Sequence, residues 1–205
     1  MHSELISTIQ NSLRELTTYA DELRDLDQAL GDGDLGITVT LGANAVIEAL
    51  DELPEGTSPA DIARACAKAF ANANPSTMAA LVAGGLLAGS KAWATVETVD
   101  VRAAARFLET AGANIAQRGK TQIGDKTIVD AIVPAAEALA NADNARTGLD
   151  AAIEAAEKAV VDTRALQSRR GRAAWLQERS IGLQDPGATA MLRFLQSWAK
   201  ASVTA

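Results

Sequence analysis

The sequence predicts an all-α fold of eight helices, and three observations predict it. Apolar residues recur at three- and four-residue spacing through most of the chain, and no stretch makes a convincing strand. Leu, Ile, Val and Ala supply most of the 48% hydrophobic content while aromatic residues make up 3%, a composition suited to closely packed helices. Gly, Pro, Asp and Asn gather between the periodic segments. At 205 residues the chain can bury a sizeable core and lies near the upper end of single-domain size, so one domain is expected over residues 1–205.

Leu5, Ile9, Leu13, Leu16, Ala20 and Leu23 write an amphipathic first helix over residues 3–25, ended by the loop "GDGD". A second can start after Gly36 and run to Leu53, where Pro54, Gly56 and Pro59 mark a turn. The third fits residues 59–73 and stops at "NANPST", because Pro75 disfavours helical geometry at Asn74. Ser76 and Thr77 can cap the next helix. That fourth helix, 77–94, reads "MAALVAGGLLAGSKAW" and is apolar almost all round, which predicts a central helix buried on most sides. Gly84, Gly85 and Gly89 would let a neighbour approach its backbone. Four more helices fit 100–118, 126–141, 148–168 and 187–203, with a kink expected at Pro134. The segment "QSRRGRAAWLQERSIGLQDPG" fits no regular structure, and loops beyond about 12–15 residues are usually functional.

A net charge of −7 argues against a nucleic-acid surface, which needs a basic face. The lone cysteine, Cys66, cannot form an internal disulfide, reads as core, and fits a reducing cytoplasm. The amino terminus lacks the basic stretch and apolar run of a signal peptide. No segment approaches the roughly 18 apolar residues of a membrane span. A soluble, cytoplasmic protein without a membrane partner is expected.

Asp27, Asp32 and Asp34 crowd a glycine-rich break, "LDQALGDGDLG", where their repulsion should drive them apart. If Asp27 ends a helix and Gly31 and Gly33 turn the backbone sharply, the three carboxylates can converge on one cation. Hard oxygen ligands suit Mg²⁺ or Ca²⁺ rather than zinc, since the chain has one histidine, His2, and one cysteine. The spacing is not that of an EF-hand, and Mg²⁺ held by few carboxylates usually shares its shell with water and phosphates, which points to a nucleotide. The plain alternative is a solvated helix junction with Asp34 as an N-cap.

Three other loops open helices with small or polar residues: "NPST" at 74–77, "GDKT" at 124–127 and "DPGAT" at 185–189. Exposed N–H groups at helix starts make anion sites, and with the acidic cluster and no Walker-type lysine loop they suggest a phosphate site built from helix termini. Arg172 and Arg179 lie in a candidate lid, where Arg172 could pair with phosphate oxygens and Arg179 could equally serve a structural pairing. Trp175 is expected to pack the lid, and Trp93 and Trp198 to pack in the core or at helix ends.

"LDQALGDGDLG", "GKTQIGDKTIVDAIVPAAEAL" and "GRAAWLQERSIGLQDPGATAML" closely resemble, in the same order, the signature segments of the L subunit (DhaL type) of dihydroxyacetone kinases. The resemblance implies an antiparallel barrel of eight helices with ADP or ATP at one end, bound through Mg²⁺, two ions being expected, on Asp27, Asp32 and Asp34. Carried over by position, it places the nucleotide against Leu35, Gly36, Ile37 and Thr38, against Ser76 and Thr77, and against Gly119 and Ile128. Arg172, Asp185, Pro186 and Gly187 complete the set. Leu35 stands where the family commonly has His, and "NANPSTMAAL" replaces its "GG-x-SG" stretch, so the chain reads as a divergent member serving a small keto-sugar or polyol.

The same resemblance implies a phosphotransferase subunit that needs a K-type (DhaK-like) partner holding the hydroxy-ketone on a histidine, a role that His2 cannot take. A DhaM-like phosphotransferase-system subunit is a further expected partner, and a homodimer stays open. One rival is the nucleotide-binding module of a fatty-acid-kinase-like system, against which the "ERSIG-x-QDPGAT" match weighs. A second is a non-catalytic regulator, which would gain nothing from clustered carboxylates.

Overall fold

The computed structural model describes residues 2–203, and among these it has nine α-helices, two 3₁₀ segments and no strand. The helices are α1 (His2–Thr17), α2 (Ala20–Leu30), α3 (Leu35–Asp51), α4 (Pro59–Ala73), α5 (Thr77–Ala92), α6 (Val101–Gly119), α7 (Val129–Ala140), α8 (Ala145–Asp162) and α9 (Pro186–Val203). The 3₁₀ segments, Thr163–Ala165 and Arg172–Ser180, lie in the long connection before α9. The all-α expectation holds, with one helix more than the eight foreseen.

The extra helix comes from a break in the first. The Thr17 and Thr18 hydroxyls donate to the Arg14 and Glu15 carbonyls at 2.7 Å, and the Thr18 and Tyr19 N–H groups reach back to Glu15 and Leu16 at 3.0 and 3.1 Å. Bonds to the third preceding residue tighten the turn and stop α1. The apolar period does not reveal the stop, because Leu16 before it and Leu23 after it are both buried in one cluster.

Several starts are side-chain caps. Ser58 accepts from Asp61 N at 3.2 Å, Ser76 from Ala79 N at 3.0 Å, Asp100 from Ala103 N at 2.7 Å and Asn144 from Thr147 N at 3.0 Å. α8 therefore starts earlier than the expected residue 148. α7 starts at Val129 rather than 126 and runs through Pro134 as one helix.

α1 packs on α3, each helix from α3 to α9 packs on the next, and α9 returns to α1, closing a ring of eight. Short connections make most successive staves antiparallel, so alternate connections emerge at the same end. The junctions α2–α3, α4–α5, α6–α7 and α8–α9, which carry Asp32 and Asp34 with Asp27 in the turn of α2 before them, "NPST", "GDKT" and the long segment, thus share one rim. α2 rides outside on α3 and α9, held by two bonds from Arg193 to Glu22 at 2.7 and 2.6 Å.

One buried cluster joins α1, α3 and α4 through Leu13, Val46, Ile62 and Cys66; a second joins α6 to α9 through Ile132, Val160 and Leu192. Trp93 is buried, its Nε1 donating to Ala103 O at 2.9 Å, and Trp198 lies beside Phe194. α5 is a stave and not the central helix expected: Leu87 is 46% exposed. Its apolar look comes from small residues that admit α6, so that a Cβ at Gly89 would lie 2.7 Å from the Phe107 ring.

Candidate metal centre

Asp27 stands in the last turn of α2 and Asp34 just before α3, and the four residues between α2 and α3 must reverse the chain. Gly33 does so at φ +75°, a conformation that strains any side chain. The turn brings one oxygen from each of Asp27, Asp32 and Asp34 within 4.8 Å of the others. Asp32 is exposed, while Asp27 and Asp34 are half-buried. The start of α3 also presses on the start of α2: a Cβ on Gly36 would sit 2.2 Å from the Ala20 carbonyl oxygen.

The N-cap alternative for Asp34 does not describe this junction. Asp34 occupies the capping position with helical backbone angles and makes no capping bond. Asp27 serves the helix start instead, its Oδ2 accepting from Leu35 N at 3.1 Å. Burial, and then the Asp27 charge, raise the Asp34 carboxyl above its usual range. Burial disfavours the charged form, and the neighbouring like charge adds to it.

Arg172 reaches this cluster from the long loop. Its Nη1 pairs with Asp32 Oδ2 and lies 3.9 Å from Asp34 Oδ2. Trp175, three residues on, is 79% exposed, contrary to the expectation that it packs the lid.

The DAK2 domain matches residues 29–200. The chain belongs to that family. It is 28% identical over 190 residues to the ADP-binding subunit DhaL of the PEP-dependent dihydroxyacetone kinase of Escherichia coli, covering 91% of this chain and 90% of that one. It is 33% identical over 166 residues to the ADP-binding subunit of PEP-dependent dihydroxyacetone kinase 1 of Listeria innocua, covering 81% and 79%. The L-erythrulose 1-kinase of Mycolicibacterium smegmatis matches at 31% over 86% of this chain, which spans 31% of that longer protein. In structure, the dihydroxyacetone kinase of C. freundii, solved with AMP-PNP and Mg²⁺, gives a TM-score of 0.76 at 24% identity over 96% of this chain and 33% of that one, a likeness of fold. The expected DhaL-type membership and fold are borne out.

Within this DAK2 barrel the other expected residues fall into groups on the rim. Thr38 is 1% exposed; it accepts from Asn74 Nδ2 at 2.8 Å and donates to Ser76 Oγ at 3.3 Å, which ties α3 to the opening of α5. Ile37 is 57% exposed, Leu35 and Gly36 are buried, and Thr77 is exposed. Gly187 lies against Ile128, a Cβ there coming 3.1 Å from Ile128 N, and Pro186 opens α9. Gly119 ends α6, where a Cβ would meet Thr121 and Leu81.

Two helix starts expected to offer free anion sites are already served by carboxylates. Asp130 accepts from Gly124 N at 2.6 Å and Thr127 N at 2.7 Å. Asp185, nearly fully buried, accepts from Ala188 N at 2.7 Å. Burial pushes the Asp185 carboxyl up to about 7; the Asp130 charge adds to this, while the Ala188 and Gly187 N–H groups and the Lys126 charge work against it. Asp130, Asp125 and Lys126 are the residues that sequence reasoning passed over as sites. The spacing Thr127-x-x-Asp130 before an apolar run is a capping-box signal that points to the first of them.

Proposed function

We propose that this chain is the nucleotide-binding, phosphoryl-donating subunit of a dihydroxyacetone kinase or a related small keto-sugar kinase. The observation that carries this reading is the meeting of the Asp27, Asp32 and Asp34 oxygens within 4.8 Å on the rim of a DAK2 barrel. Its E. coli and L. innocua relatives, named as ADP-binding subunits, support the nucleotide, and the erythrulose kinases widen the acceptor class to small hydroxy-ketones.

The donor set fits Mg²⁺. Three hard carboxylate oxygens gather within 4.8 Å of one another, and Asp32, the exposed one of the three, can adjust its rotamer to join the other two on one ion. When bound, Mg²⁺, as two ions in this reading, supplies neutralisation of the charge on transferring phosphate oxygens. Asp27 keeps one oxygen on Leu35 N and offers the other to the metal, while Asp32 and Asp34 complete the protein ligands. Arg172 donates to phosphate oxygens from the loop side. Leu35 to Thr38, with Ser76 and Thr77, line the nucleotide on one flank; Gly119, Ile128 and the turn 185–187 line the other, with Asp185 shaping that turn from inside.

With His2 the only histidine, covalent capture of the hydroxy-ketone falls to a K-type partner subunit. Relatives matched over most of their own length belong to PEP-dependent kinases, which supports recharging of retained ADP by a DhaM-like partner. The test is a thermal-shift titration. ADP with Mg²⁺ should raise the Tm of the wild type where Mg²⁺ alone does little. Asp32→Asn should lose that shift while keeping its ligand-free Tm, since it removes a metal ligand and relieves repulsion. Undiminished affinity in the variant refutes the metal assignment.

A further inference from the structure

Lys126 sits in the "GDKT" turn with a left-handed backbone, φ 64°, yet its long cationic side chain is 1% exposed. A phosphate-binding lysine presents its ammonium to a cleft, and this one turns inward. Its acceptors are main-chain carbonyls of the long loop: Ser180 O at 2.7 Å, Leu166 O at 3.0 Å and, more distantly, Arg164 O at 3.5 Å. One ammonium therefore bridges the outgoing and returning limbs of a single loop.

Other bonds close the same base. Gly182 N donates to Arg164 O at 2.7 Å and Ser168 N to Ser180 Oγ at 2.9 Å. The residue next to Lys126 grips the outgoing limb: Asp125 O accepts from Arg169 N at 3.0 Å, and its carboxylate accepts from Arg170 Nε at 2.9 Å. Gly171 then turns at φ 62°, and the next residue is Arg172, paired with Asp32. Loops whose ends are pinned together while the middle projects are compact, and the reach of a side chain on the middle depends on the base.

We propose that Lys126 is a positioning residue: with Ser180 it clasps the base of the 164–182 loop and so sets the reach of Arg172 to the aspartate cluster. The inference deepens the proposed function and rests on it for the role of Arg172 toward nucleotide phosphates. A lysine that acts through Arg172 differs from one that only stabilises the fold, because its effect on ligand affinity must vanish when Arg172 is removed.

The experiment is a double-mutant cycle on the full chain with ADP and Mg²⁺ as the probe, read by isothermal titration, together with amide hydrogen exchange. Lys126→Met should weaken Mg²⁺-dependent ADP binding roughly tenfold alone and less than about twofold in the Arg172→Ala background. In the ligand-free variant the Ser168, Arg169 and Gly182 amides should exchange faster than in the wild type. Equal weakening in both backgrounds, or unchanged exchange, overturns the proposal. Should Lys126→Met fail to fold, Ser180→Ala, which removes the Ser168 acceptor and the hydroxyl's bond to Gln177 O within the same loop, decides: weakening that depends on Arg172 supports the clasp, and none in either background overturns it. A wild type without Mg²⁺-dependent ADP binding would sink the functional reading alone, leaving hydrogen exchange to judge the clasp.

Discussion

Asp185→Asn should flatten part of the acid-to-neutral stability profile. Asp185 is 5% exposed, and burial raises its carboxyl from 3.8 to about 7, a shift of about three units. At about 1.36 kcal/mol per unit that is roughly 4 kcal/mol. The sign comes from proton counting. Between about pH 4 and 7 the unfolded chain has released this proton and the folded chain has kept it, so rising pH favours unfolding and stability falls across that window. Asn keeps an oxygen for Ala188 N and has no charge to bury. The stability difference, variant minus wild type, should therefore climb with pH, by up to about 4 kcal/mol, and level off above neutrality. At Asp125 burial pushes the carboxyl up, but Arg170, Gln122 N and Thr121 outweigh it, so its value falls; that contribution is common to both proteins and cancels. Urea unfolding of each protein at several pH values measures the curve. A difference that stays flat from acid to neutral pH refutes the reasoning.

Two further outcomes are expected. Arg172→Ala removes a cation that shares Asp32 with any bound metal, so Mg²⁺ alone should bind roughly two- to fivefold more tightly, while ADP with Mg²⁺ binds more weakly; isothermal titration of each checks both signs. Gly36→Ala places a methyl 2.2 Å from the Ala20 carbonyl, which neither helix can avoid without moving, and should lower stability by about 1–3 kcal/mol in urea unfolding.

Local chemistry made much of this fold legible. Ser58, Ser76, Asp100 and Asn144 cap helices within three residues of themselves, and such bonds are written in adjacent sequence. The convergence of Asp27, Asp32 and Asp34 was legible for the same reason, as two glycines and eight residues hold the whole turn. The break at Thr17–Tyr19 was hidden because both sides feed one core. Lys126 was hidden because its partners lie 38, 40 and 54 residues away, and nothing in "GDKT" distinguishes an inward lysine from an outward one. The glycine-rich α5 misled because hydropathy counts composition, whereas burial depends on how many neighbours a ring of eight can supply.

Under the proposed function, the chain's charge and its topology constrain each other. A protein of net charge −7 that takes a polyphosphate must supply positive charge at one place, and the alternating barrel gathers four loops there. Only one guanidinium, that of Arg172, pairs with the cluster among the described residues, and it faces three carboxylates. One cation cannot balance three anions and also serve phosphate oxygens. A divalent ion, held by the three aspartates, would neutralise them and leave the Arg172 guanidinium to phosphate oxygens. The buried ammonium of Lys126, bonded to both limbs of the loop, would keep its base in place whichever partner Arg172 serves.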